Sequence, residues 1–175
     1  MWTNILQYTI PAVSVIAMAY LLINKLLKNE ENRRNFELMK LNQPIITPIK
    51  LRAYERLMLF LERITPNNML PGKVQPTMSA LEFQSVLMND IKKEFEHNFA
   101  QQIYISSELW ESIKNAEENI IQLINLCSAQ CQAEDSAATL ATLVIQVYNS
   151  KDVTAIDAAK EQLRNEIAKF TKDNA

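Results

Sequence analysis

Glycine is almost missing from this chain: the 175-residue sequence contains one, Gly72. Glycine most readily adopts the backbone conformations of tight hairpins, β-bulges and phosphate-binding loops. Its scarcity therefore disfavours β-rich folds and glycine-rich nucleotide sites. Apolar residues recur with helical spacing, and no stretch alternates strictly between apolar and polar residues. We therefore predict an all-α protein.

Histidine and cysteine are also scarce, which limits metal and nucleophile chemistry. Cys127 and Cys131 lie four residues apart, so on a helix they share one face and could supply two of four zinc ligands. His97 is the one histidine, and it follows Glu94 in a single Glu-x-x-His pair, whereas di-metal bundles use two. We interpret the cysteines as small buried residues at a helix contact. No metal, cofactor or catalytic residue is expected, and an enzyme that uses Cys127, Cys131 and His97 is the least favoured function.

Charge of either sign is missing from the first 24 residues, since the first charged side chain is Lys25. At ~1.5 Å per residue, a helix of this length spans about 36 Å, more than the ~30 Å hydrocarbon core of a bilayer. Residues 1–27 are therefore predicted to be a transmembrane anchor. The other 151 residues hold all 18 Lys and Arg and all 20 Asp and Glu. The net charge of −2 gives no electrostatic case for nucleic-acid binding.

Two other interpretations of this apolar segment compete with an uncleaved anchor. A cleaved signal peptide is favoured by the small-x-small pattern at Ala17-Met18-Ala19, but the segment lacks the basic start of such signals. A buried helix of a water-soluble core seldom needs so long a stretch without charge. Aromatic rings suit the outer interface of the bilayer, and a proline within the span predicts a kink. The residues assigned to the anchor are Trp2, Tyr8, Pro11, Val15, Ile16, Leu21 and Leu22.

The orientation of the anchor follows from its flanks. No Lys or Arg precedes the span, and five follow it closely: Lys25, Lys28, Arg33, Arg34 and Lys40. By the positive-inside rule, we expect the N-terminus to lie outside and the C-terminal domain to lie in the cytoplasm. The same charges are also consistent with the solvated face of a helix that continues out of the membrane.

The rest of the chain is predicted to form two parts. Residues 28–47 form a juxtamembrane helix and a stiff connector, because Pro44 and Pro48 interrupt the helical pattern. Residues 48–175 form a cytoplasmic bundle of about five helices. The first of these helices ends before Thr65-Pro66. Caps for the later helices are expected at Ser79, at Ser106 or Ser107, after Glu134-Asp135-Ser136, and at Thr154.

The segment LRAYERLMLFLERITPNNML, residues 51–70, resembles a family of uncharacterised single-pass bacterial inner-membrane proteins with a helical cytoplasmic domain. The resemblance implies the location and the fold. It implies no activity, because none is assigned to that family.

The helical part of this segment also suggests a partner interface. Arginines are interleaved with aromatic residues there, which is the composition of anchor residues at protein interfaces. The candidate interface residues are Arg52, Tyr54, Arg56, Phe60 and Arg63. Alternatively, the arginines line the polar edge of a core helix.

These observations favour a non-enzymatic accessory or scaffold subunit of a larger bacterial inner-membrane complex. The membrane helix and the bundle would both contact partners, namely the lipid bilayer and other membrane-protein subunits. The alternative is a membrane-tethered adaptor that recruits a soluble cytoplasmic protein, which would require an exposed apolar groove on the bundle. Neither function involves nucleic acid or a small-molecule substrate.

Overall fold

The computed structural model describes the backbone of residues 2–132 and 134–173, and the side chains of these except 2–17, 35–36, 38–43 and 173. Within this part the chain is helical and has no strand, which confirms the all-α prediction. An isolated bridge of β type joins Ser79 and Ser136. A 3₁₀ helix, Phe99–Tyr104, precedes the fourth α-helix. The α-helices are α1 (Trp2–Ile64), α2 (Pro66–Met69), α3 (Ala80–Asn98), α4 (Ser107–Ser128), α5 (Ala137–Asn149) and α6 (Ala155–Asp173).

The chain divides into two compact units, residues 1–48 and 49–175. The first consists of the N-terminal part of α1. The second holds the remainder of α1 and the other helices, and it contains the hydrophobic core.

The prediction that Pro44 and Pro48 interrupt the helix is wrong, because α1 continues through both residues. Each proline removes one backbone N–H donor from a helix. The two prolines are four residues apart and therefore lie on one side of the helix. In a helix, the other backbone groups of this segment keep their hydrogen bonds within the chain, whereas in an extended connector they would bond to water.

Side-chain caps begin the later helices at the expected residues. Ser79 and Glu82 form a complete capping box at the start of α3. Ser106 caps α4, and its Oγ accepts a hydrogen bond from the N–H of Leu109 at 3.2 Å. At α6, the N–H of Asp157 donates to Thr154 Oγ1 at 3.2 Å, and the N–H of Thr154 donates to Asp157 Oδ2 at 3.1 Å. These reciprocal bonds satisfy N–H groups that have no partner inside a helix.

The core of residues 49–175 is built from aromatic and branched side chains of several helices. Phe60 is buried, and its ring centroid lies 5.8 Å from that of Phe95. The Phe95 ring stacks on Trp110 at 5.3 Å. The inner face of α4 adds further buried side chains, and Ile121 beside it is half-buried. Buried members of that face include Trp110, Ile113, Ile120, Ile124 and Cys127.

The predicted anchor falls largely outside the described side chains, which include none of Trp2, Tyr8, Pro11, Val15 and Ile16. Leu21 and Leu22 are described, and both are exposed. Among the residues that the structure describes, no helix combines the length and the hydropathy needed to cross a membrane. The anchor therefore stays a prediction from the sequence.

A candidate partner-binding groove along the first and last helices

The five residues of the predicted interface do not share one surface. Tyr54 and Phe60 are each 1% exposed and belong to the core. Arg52 and Arg63 are exposed, and Arg56 is half-buried. Both rings therefore pack inside the bundle, and Tyr54 also lines the groove described below. Partner binding by the three arginines stays a prediction.

Arg56 joins α1 to the C-terminal end of α3. Its Nε donates to Asn98 Oδ1 at 3.3 Å, and its Nη2 donates to the carbonyl oxygen of His97 at 3.1 Å. The last carbonyls of a helix lack partners inside that helix, so this guanidinium acts as a tertiary cap. On the same helix, Arg63 Nη1 lies 3.1 Å from Glu94 Oε2.

Arg56→Glu is expected to cost about 1–2 kcal/mol of the free energy of unfolding, because the variant loses charge-assisted bonds to Asn98 and the His97 carbonyl. Arg52→Glu is the matched control. Arg52 is exposed and pairs with no described side chain, so its replacement should cost less than about 0.5 kcal/mol. Urea unfolding followed by circular dichroism measures both. Equal costs for the two variants would contradict the tertiary cap.

Glu166 on α6 organises a polar junction of three helices. Its Oε1 accepts hydrogen bonds from the Tyr54 hydroxyl at 3.0 Å and from the N–H of Ser106 at 3.1 Å. The Ser106 hydroxyl donates to the other carboxylate oxygen. The carboxylate therefore lies at the positive N-terminal end of α4. Burial, followed by the hydrogen bond and the charge of Glu166, raises the pKa of Tyr54 above its ordinary value.

The raised pKa of Tyr54 predicts a loss of stability at alkaline pH. The folded protein favours the neutral phenol, so this stabilisation is complete below the ordinary pKa of 10.0 and is lost as the pH rises from there through the folded pKa. Above about pH 10, the free energy of unfolding should therefore fall less steeply with pH in Tyr54→Phe than in the wild type. Urea titrations of the wild type and the variant at several pH values test this. An unchanged slope in Tyr54→Phe would refute it.

A second polar cluster joins the end of α1 to α5 and α6. Lys160 is mostly buried, and its Nζ lies 2.9 Å from Glu62 Oε1 and 3.4 Å from Thr65 Oγ1. The hydroxyls of Tyr148 and Thr154 lie 3.2 Å apart. Among the described side chains, every buried polar atom has a hydrogen-bond partner. This cluster therefore stabilises the junction and leaves no buried group aimed at a ligand.

Cys127, Cys131 and His97, the residues of the enzyme hypothesis, do not form one site. His97 lies near the start of α4, because the neighbouring Phe99 contacts Trp110 with ring centroids 5.7 Å apart. Cys127 lies 17 residues further along α4, about 25 Å at ~1.5 Å per residue. Burial raises the pKa of the Cys127 thiol, and the charge of Cys131 adds to the effect. A raised pKa lowers the fraction of reactive thiolate. No group of three metal-binding side chains occurs among the described residues.

An open apolar groove lies between α1 and α6 and has a volume of about 560 Å³. Leu59 is 54% exposed at its edge. Glu55 is the one charged residue in its lining, and no described side chain forms an ion pair with it. The lining consists of Leu51, Tyr54, Glu55, Met58, Leu59, Leu163 and Ile167.

A polar cavity of about 440 Å³ lies further along the same two helices. Its charged lining residues are Glu62, Asp157, Lys160, Glu161 and Arg164. The pKa of Asp157 is lowered, mainly because Thr154 donates hydrogen bonds to its carboxylate. The Asp157 side chain is therefore ionised at neutral pH. We call the groove and this cavity together the α1–α6 seam. Its lining carries four carboxylates, including Glu55 of the groove, and the two cations Lys160 and Arg164.

Comparison with known proteins assigns this helical chain to a family. A family model described as a family of unknown function, DUF7935, matches residues 1–170. The chain belongs to this family. No curated protein matched the chain, and no solved structure did. Membership agrees with the predicted resemblance to an uncharacterised family. The bacterial origin and the single membrane pass of DUF7935 remain predictions.

The predicted interface of this DUF7935 chain shares one residue with the groove, Tyr54, and includes none of the other lining residues. The signal that could have located the groove is weak. Leu163 and Ile167 are four residues apart in α6, and Met58 and Leu59 lie next to the predicted interface. Periodicity alone does not tell which apolar residues are covered by another helix.

Proposed function

We propose that this chain is a non-enzymatic accessory or scaffold subunit of a larger bacterial inner-membrane complex. The observation that carries the proposal is the presence of two apolar surfaces in separate units. One is the N-terminal part of α1, where large apolar side chains are exposed from Met18 to Leu27. The other is the α1–α6 groove. A subunit that contacts both the bilayer and a protein partner needs two such surfaces.

The N-terminal surface supports membrane insertion because residues 18–23 are uncharged around the whole circumference of the helix. Tyr20, Leu21, Leu22 and Ile23 are consecutive, so on a helix they point in four directions, and all are exposed. A helix that is hydrophobic on every side requires an apolar surrounding. Lys25 and Lys28 follow directly and suit the cytoplasmic headgroup region.

A second candidate function, an adaptor that recruits a soluble cytoplasmic protein, is favoured by the groove itself. The groove is open, and one charged side chain lines it. Helix-in-groove recognition uses surfaces of this kind. The adaptor differs from the scaffold subunit in the location of its partner, and both place residues 49–175 in the cytoplasm.

A topology reporter tests the part that both functions share. A reporter that is active only in the periplasm, fused after Ala175, should remain silent, because five basic residues follow the apolar run and none precede it. A cytoplasm-only reporter at the same site should be active. The opposite pair of results would reverse the orientation and remove the cytoplasmic partner from the proposal.

A further inference from the structure

We propose that the α1–α6 seam binds one amphipathic helix of a partner protein, and that this helix carries lysine or arginine in one terminal turn. The inference rests on the proposed scaffold function, for which it names the chemistry of the partner. The apolar groove would bind the hydrophobic face of the helix. The acidic cavity beside it would bind the basic turn.

The apolar part of the seam has the form that a third helix requires. Met58 and Leu59 come from α1, and Leu163 and Ile167 come from α6, so two helices flank the open groove. A helix that lies along such a groove inserts apolar side chains spaced three and four residues apart. Leu59, 54% exposed, would lose this exposure on binding.

The polar part of the seam determines the charge of the partner. Lys160 is already paired with Glu62 at 2.9 Å, and Arg164 lies 3.5 Å from Glu161. Glu55 and Asp157 form no direct ion pair among the described residues, and Asp157 shares the charges of Lys160 and Arg164 with the other carboxylates. The excess of carboxylates therefore favours lysine or arginine in the partner. Since Asp157 and Glu161 belong to the N-terminal half of α6, the basic turn would lie at that end of the seam.

The same charges disfavour the other occupants of an apolar groove. A second copy of this chain would bring the same excess of carboxylates to the interface. Like charges placed opposite each other oppose association. An anionic lipid surface would meet the same repulsion. A basic amphipathic helix is complementary both to the apolar lining and to the negative charge of the seam.

A designed peptide tests the proposal with the full-length chain in nanodiscs of phosphatidylcholine, a lipid without net charge. The probe is a fluorescent peptide of about 16 residues with one leucine stripe and three lysines in its last turn. Its twin has three glutamates in place of the lysines. Fluorescence anisotropy should show the lysine peptide binding at least about tenfold more tightly than the twin.

Two sets of variants locate the binding. Leu59→Glu should weaken binding of the lysine peptide by about tenfold or more, because it places a charge in the groove. Glu55→Lys with Glu161→Lys should reverse the preference, so that the glutamate twin binds more tightly. Leu81→Glu and Glu118→Lys are the matched controls at exposed positions on α3 and α4, and neither should change binding.

Equal affinity for the two peptides, or wild-type affinity in Leu59→Glu, would overturn the proposal. So would a homodimer that Leu59→Glu dissociates, because a second copy would then be the occupant. The peptide preference is measured independently of the topology reporter. A chain that binds the lysine peptide but fails the reporter test keeps the groove and loses the scaffold function. A chain that passes the reporter test but shows no preference for the lysine peptide keeps the scaffold function and loses the groove proposal.

Discussion

Phe60→Ala is expected to cost about 3–5 kcal/mol of the free energy of unfolding. The Phe60 side chain is 1% exposed, and its ring lies 5.8 Å from that of Phe95. Truncation would remove buried apolar area and leave a cavity that the surrounding helices cannot fully close. Urea unfolding of the full-length chain, followed by circular dichroism, measures the loss.

Phe99→Ala is the matched control for this loss. The Phe99 ring also contacts Phe95 and Trp110, but Phe99 is 51% exposed. Its truncation should cost about 1 kcal/mol, because less apolar area returns to water. Equal, small costs at both positions would show that Phe60 is not part of a packed core.

Val15→Arg is expected to remove most of the chain from the membrane fraction. Arginine at the centre of a transmembrane helix costs about 2.5–3.5 kcal/mol on insertion scales, which corresponds to roughly a 100-fold change in partition. Val15 lies outside the described side chains, so this expectation rests on the charge-free run of residues 1–24. Sedimentation after an alkaline wash, which strips peripheral proteins, measures the effect.

Leu81→Arg serves as the control for Val15→Arg, because it adds the same charge at an exposed position of α3. This variant should remain in the membrane pellet with the wild type. If Val15→Arg also remains in the pellet, either the anchor lies elsewhere in the chain or a partner carries the chain.

Local signals in the sequence predicted helix starts well, because a cap needs only neighbouring residues. Ser79 with Glu82, and Thr154 with Asp157, occur at the spacing of a capping box and make those bonds. The same local reasoning was wrong at Pro44 and Pro48. Proline disfavours a helix by a finite free energy, and the rest of a long helix can offset it.

Contacts between distant residues could not be predicted from local patterns. Glu166 is bonded to Tyr54 across 112 positions of the chain, and no periodicity marks a carboxylate for that position. Local patterns also could not predict which side of α1 is exposed to a partner. Tyr54 and Phe60 have the composition of interface anchors, and the fold places both in the core.

The native mass of the full-length chain extracted from membranes tests the scaffold function most directly. Gentle solubilisation, native mass measurement and identification of each component should yield the 20.1-kDa chain together with other subunits in a fixed ratio. Leu59→Glu should release the subunit that occupies the α1–α6 groove, and Leu81→Glu should retain it. A monodisperse chain that carries no other protein under every mild condition would contradict the proposed function.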